Sequence, residues 1–312
     1  MSRNRSETMW KPGLQSLACA ALCLGAMPLA AVAQTAPASS HIPEGSVGGM
    51  GDINLYPKRV VIDSRARVAS VGVYNRTANS GDYDIVISDM MMTPDGRLVE
   101  LASVDDKDPT RARVKAASQM VRWSPHRFTL GGNEMQNVRL MAHTLEDLPA
   151  GEYRTHLSVI AVPPGNDGLT IDEAATGDAP SGGIGVRITP RFGISIPVIV
   201  RVGETTLTAG LKDLNLRTAP TGQKVIALTI TRSGNRSAFG DIVVTAPGSS
   251  KPVASVKGVG IYTEVDARTV LLPVDPALDP RLTAKGAKLT VTYTDDDYAP
   301  GKMLAREDFV VP

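Results

Sequence analysis

IGVRITPRFGISIPVIVR, residues 184–201, alternates apolar and polar side chains over most of its length. Every even position is apolar: Ile184, Val186, Ile188, Pro190, Phe192, Ile194, Ile196, Val198 and Val200. The odd positions are mostly small or charged, with only Pro197 and Ile199 against the pattern. Period two marks an extended strand with one apolar face. At about 3.3 Å per residue the stretch spans more than ~50 Å, roughly three times an ordinary strand. A sandwich domain of usual size cannot cover that length. If the Val198 end packs in the chain's own core, the Ile184 end carries apolar side chains beyond it, and an exposed apolar stripe of that size marks a partner site. The alternative is two strands joined by a bend at Thr189 and Pro190, since Pro and Gly punctuate strands.

The chain has 312 residues and a formal charge of +1. Arg3, Arg5 and Lys11 precede an apolar run from Leu14 to Leu29 that closes on Ala31, Val32 and Ala33. Residues 1–33 therefore read as a cleaved secretory signal peptide rather than a membrane span. Both cysteines, Cys19 and Cys23, lie inside it, so the mature chain has no disulfide and must be stabilised by its core. Removing the signal leaves the protein near neutral, which gives no footing for nucleic acid or an anionic membrane surface.

Residues 34–51 are rich in Ala, Ser, Pro and Gly and read as a flexible arm. Short extended segments follow, separated by turn residues. Asn54 to Ile62 is a first strand, Arg67 to Asn75 a second, Tyr83 to Ser88 a third and Arg97 to Leu101 a fourth. Phe128 to Leu130 and Met135 to Met141 flank a Gly131-Gly132-Asn133 turn, and Tyr153 to Val162 is another strand. After the long stretch come Val225 to Thr231, Gly240 to Ala246, Thr269 to Val274 and Lys288 to Thr294. No long helical period occurs, so the class is all-β: two immunoglobulin-like sandwiches, residues 52–201 and 206–312. Tyr153, at the start of a strand just after Gly151, fits a tyrosine corner, against the plainer reading of a surface Tyr on a turn. The segment from Pro163 to Gly183 has no apolar period and leads straight into the long stretch.

Catalytic and metal chemistry find no support in the residue pattern. His41, His126, His143 and His156 share no metal-ligand spacing, and there is no Gly-x-Ser-x-Gly elbow or glycine-rich phosphate loop. Asp295-Asp296-Asp297 and Asp105-Asp106-Lys107-Asp108 match no calcium loop and read as solvated turns. Met90, Met91 and Met92 read as core filling and strand-edge packing, with an adaptable contact surface as the alternative. No catalytic residue, metal site, cofactor or small-molecule substrate is expected.

Four segments follow one another in order: NLYPKRVVID with Arg59, LGGNEMQNVRL (130–140), EYRTHLSVIAVPP (152–164) and the long alternating stretch. Together they resemble the periplasmic pilus chaperones, the PapD-like proteins that escort fimbrial subunits to an outer-membrane usher. The resemblance implies a non-catalytic chaperone that lends a strand to an incomplete pilus subunit, its alternate side chains filling the subunit's groove. The donated side chains would be Ile184, Val186, Ile188, Phe192 and Ile194. It also implies that Arg59 grips the subunit's terminal carboxylate. The lysine that assists in the family falls here on Pro197, and Arg201 is a closer substitute than Arg191, which lies roughly 20 Å away along an extended strand. The implied location is the periplasm and the implied partners are pilus or fimbrial subunits and an outer-membrane usher. A structural or adhesive subunit of a surface appendage is the competing reading, and a periplasmic enzyme or binding module a third.

Overall fold

The computed structural model describes residues 46–47, 53–143, 148–162 and 191–312, and nearly every period-two segment among them is a strand. The first sandwich, with the separate two-stranded hairpin β6–β7 that leaves it, comprises β1 (Ser46–Val47), β2 (Ile53–Tyr56), β3 (Val60–Ile62), β4 (Val68–Asn75), β5 (Gly81–Ser88), β6 (Met90–Met92), β7 (Leu98–Glu100), β8 (Val121–Ser124), β9 (Arg127–Leu130), β10 (Met135–Ala142), β11 (Gly151–Val162) and β12 (Gly193–Val202). The second contains β13 (Leu207–Thr218), β14 (Lys224–Gly234), β15 (Ala238–Thr245), β16 (Ala254–Ile261), β17 (Ala267–Pro273), β18 (Lys288–Asp295) and β19 (Met303–Val310). Both belong to one compact unit spanning Pro43–Pro312.

The strand expected over 54–62 is divided in two. Pro57 has no N–H to give a ladder, and the chain changes sheet there. β2 runs antiparallel to β4 in the sheet β1-β2-β4-β10-β8, while β3 runs parallel to β12 in the sheet β3-β12-β11-β5-β9. A four-strand face of β2, β4, β10 and β8 against β12, β11 and β5 is the immunoglobulin arrangement. Ser46 and Val47 pair with β2, so part of the segment read as a flexible arm lies on a sheet edge. β9 and β10 flank the glycine turn as expected but sit in opposite sheets, with Asn133 in the left-handed region at φ 60°.

The even residues Ile194, Ile196, Val198 and Val200 of β12 enter the first core alongside Leu55, Val71, Leu140 and Leu157. This corrects one expectation: Ile194 is buried in the chain's own sandwich, opposite Val159, because β11 extends far enough to pair with β12 down to Gly193. Ile194 is therefore not free to be donated. Phe192 is exposed, and Ile184, Val186 and Ile188 lie outside the described residues. The exception Ile199 also has a cause. It is fully buried, but in the core of the second sandwich.

The second sandwich has sheets β13-β14-β17 and β16-β15-β18-β19. Its unforeseen strands, β13, β16 and β19, are all edges. β13 buries only Leu211, and β19 buries nothing fully, so neither shows the alternation that one covered face imposes.

The methionine stretch ties the two halves together. The hairpin of β6 and β7 leaves the first sandwich and inserts Met92 into the second core, so the thioether fills a neighbour's gap rather than its own. The Met92 N–H donates to Glu264 at 2.8 Å, and the Thr269 N–H donates to the Pro94 carbonyl at 3.0 Å. Gly96, at the hairpin turn with φ 84°, lies so close to Arg268 that a Cβ would sit 2.1 Å from its Nε. We expect Met92→Ala to destabilise the mature protein by about 2–4 kcal/mol, the usual cost of emptying a buried methionine site. Denaturant unfolding of both proteins measures this; a change under ~0.5 kcal/mol would show that the hairpin merely rests on the second sandwich.

Candidate functional site at the domain junction

A cleft of about 1610 Å³ opens between the sandwiches, lined among others by Tyr56, Lys58, Arg59, Pro197, Arg201 and Tyr298. Its floor is ionic. Arg59, at the corner between β2 and β3, donates through Nε to Asp297 at 3.1 Å and through Nη2 to the Ser237 hydroxyl at 2.7 Å. Arg201, near the end of β12, donates to the same Asp297 oxygen and to Glu152 at 3.3 Å. Glu152, at the start of β11, also lies 3.7 Å from Arg59. All four side chains are less than a tenth exposed.

The structure thus brings together Arg59 and Arg201, the two residues expected to hold a carboxylate, around a carboxylate of the chain's own. Burial lowers the affinity of the Arg59 guanidinium for its proton, but Glu152 and Asp297 outweigh it and the pKa is raised. Burial likewise raises the Asp297 pKa, and the two arginines more than reverse it, so Asp297 stays ionised below the ordinary carboxylate range. Arg59 Nη1 is buried without a hydrogen-bond partner among the described residues.

The Asp295-Asp296-Asp297 run needs correction, because only Asp296 is exposed to solvent as a turn residue would be. The Asp295 carboxylate is buried and accepts from the backbone N–H groups of Asp297, Tyr298 and Ala299 at 2.8, 3.1 and 3.2 Å. That cap shapes the turn and aims Asp297 at the arginines. Asp105 and Asp106 are the solvated residues they were read to be.

Deeper in the junction, Arg154 on β11 forms a second buried pair with Glu264, at 2.7 and 3.2 Å, and lies over the Tyr262 ring at 3.6 Å. Sequence reading missed both members. Alternation places Arg154 on the outer face of β11 and so predicts exposure, whereas the second sandwich covers that face and β11 is buried on both sides from Gly151 to Leu157. The Tyr153 hydroxyl donates to the Pro149 carbonyl at 3.0 Å, closing the turn before β11.

The outer edge of β12 leads into this cleft. Ala161 N–H donates to the Phe192 carbonyl at 2.8 Å, and antiparallel pairs alternate, so Gly193, Ser195 and Pro197 direct their backbone groups away from β11. β3 takes up that side only from Val198 to Val200. From Gly193 to Pro197 the edge has no strand neighbour among the described residues.

Fold and site together define an all-β protein of two immunoglobulin-like sandwiches joined by a buried ion cluster beside an open strand edge. No protein-family model matches the sequence, and no curated protein matches it. Solved structures similar to this chain include several chaperones. The YadV chaperone is 16% identical, with 83% of this chain and 100% of that one covered and a TM-score of 0.40. The E. coli chaperone DraB is 14% identical, with 83% and 96% covered and a TM-score of 0.39. The CsuC–CsuE chaperone and tip adhesion subunit pre-assembly complex of archaic chaperone-usher Csu pili from Acinetobacter baumannii is 13% identical, with 83% and 97% covered and a TM-score of 0.38. The fold assignment rests on the strand order above.

We expect Glu264→Ala to cost about 3–5 kcal/mol, because it leaves Arg154 buried and uncompensated. Thermal or denaturant unfolding tests this. A loss below ~1 kcal/mol would mean that water reaches Arg154 and that the junction is wetter than its burial indicates.

Proposed function

We propose that this chain is a non-catalytic periplasmic chaperone that caps pilus or fimbrial subunits by lending them a strand and delivers them to an outer-membrane usher. The observation that supports this reading best is the edge of β12 from Gly193 to Pro197, which has no strand neighbour among the described residues and whose Ser195 and Pro197 line the cleft. The apolar even register of that strand continues in the sequence through Phe192 to Ile188, Val186 and Ile184. An extended chain on such an edge gains main-chain bonds, and the even side chains fill pockets in the partner. Three aliphatic groups so buried contribute on the order of 1.5–3 kcal/mol each before association costs are subtracted. Phe192 joins Ile184, Val186 and Ile188 as a donated side chain, and Ile194 roots the strand. Arg59 and Arg201, which both line the cleft, are the proposed seat for a terminal carboxylate, which would compete with Asp297 for their donors.

A tagged copy recovered from the periplasm of its host should carry a small secreted β protein in a soluble one-to-one complex. Ile188→Asp should abolish capture while the protein still folds, because its charge would be buried in the partner's groove without a counter-ion. Recovery of polymers of the chain itself would instead identify an appendage subunit. With a captured subunit in hand, replacing its terminal carboxylate by a carboxamide should weaken binding by about 1.5–3 kcal/mol, the worth of a charged hydrogen bond. Equal affinity of the two forms, measured by calorimetry, would remove Arg59 and Arg201 from recognition and leave the strand alone to carry it.

A further inference from the structure

His156 lies on the outer face of β11, fully buried where the second sandwich covers it. Neither ring nitrogen has a hydrogen-bond partner among the described residues. The ring meets Tyr262 of the second sandwich edge-on, with centroids 6.3 Å apart. The charged groups around the junction leave no place for an imidazolium. β11 supplies Arg154 and Glu152, the corner before β3 supplies Arg59, and β12 ends in Arg201. The second sandwich supplies Glu264 and Asp297, and all three carboxylates are already paired with arginines. In the sheet His156 lies opposite uncharged Ser88 on β5 and Pro197 on β12.

We propose that His156 makes the junction acid-sensitive: the sandwiches part at β11 with uptake of one proton by its imidazole, while each sandwich stays folded. The inference stands on the burial, the missing partners and the cross-sandwich placement of the ring, and it does not depend on the chaperone reading. In the closed protein, burial and then Arg154 and Arg59 push the imidazole pKa down to about 3. With β11 facing water the group returns to its ordinary value near 6.5. The sign follows from linkage: the parted form binds more protons, so the closed form is favoured above pH ~6.5 and loses ground as pH falls toward 3. One proton per opening gives up to a tenfold rise in the opening constant per pH unit, or about 90-fold between pH 7.5 and 4.5.

Backbone amides whose acceptors lie across the junction report parting directly, among them Met92, bonded to Glu264, and Thr269, bonded to the Pro94 carbonyl. The Thr269 acceptor does not titrate, so it is the decisive probe. Amide exchange of the mature chain, corrected for the intrinsic effect of pH, should show Met92 and Thr269 less protected than the central strands β11 and β14. Protection at Thr269 should fall about 90-fold from pH 7.5 to 4.5, and His156→Phe, which keeps a ring against Tyr262, should reduce that fall to less than about threefold. If the larger ring prevents folding, His156→Gln answers the same question. The proposal is overturned if the variant keeps the wild-type pH slope, or if Met92 and Thr269 exchange as slowly as the central strands at both pH values. It is also overturned if the His156 ring of the wild type titrates near pH 6.5 while Thr269 remains protected, a measurement that needs no variant.

Discussion

Two arginines and two carboxylates are buried together where the sandwiches meet, and neither sandwich balances that charge by itself. Arg59, Arg201 and Glu152 come from the first, Asp297 from the second. Each buried ion costs several kcal/mol in lost hydration, and only close pairing with satisfied hydrogen bonds offsets it. The cluster is neutral only when both sandwiches are in register, so it penalises other arrangements more than it stabilises this one. It also gathers the corner before β3, the start of β11 and the end of β12 to one point. The cleft and the open strand edge take their positions from that gathering.

Arginine planes and aromatic rings continue the same solution. Arg59 lies 4.8 Å from the Phe239 centroid, Arg154 lies over Tyr262, and Arg236 lies 3.8 Å over Tyr298. A guanidinium is weakly hydrated and flat, so it can be desolvated against a ring at a lower cost than an ammonium. Lysine in these positions would lose both the stacking and the forked contacts. The aromatic residues of the second sandwich are few, and three of them serve this junction.

The sequence discloses the fold where one face of a strand is covered and the other wet. β10, with strictly alternating burial from Asn137 to Ala142, and β18, which alternates from Lys288 to Asp295, were legible for that reason. Edge strands such as β13 and β19 were not, since partial exposure on both faces erases the alternation. The site was half legible. Arg59 and Arg201 stood out through a family likeness, but Asp297 read as a solvated turn because its partners are 238 and 96 residues away. Pairing over such separations leaves no local period. The signals that did exist were exceptions: Ile199 on the polar side of β12, and Arg154 and His156 among apolar neighbours on β11, all three on faces that the second sandwich covers.

The short open edge of β12 also bears on solubility. An unpaired edge invites a second copy to add its own, which is how β proteins begin to aggregate. Here Gly193 and Ser195 are the last outward donors before Pro197, which has none, and β3 closes the edge at Val198. Two copies aligned on this segment would share too few bonds to repay the entropy of association. The described part of the edge can therefore stay exposed in a concentrated solution without templating its own kind, and a lasting complex requires a partner that extends contact beyond it.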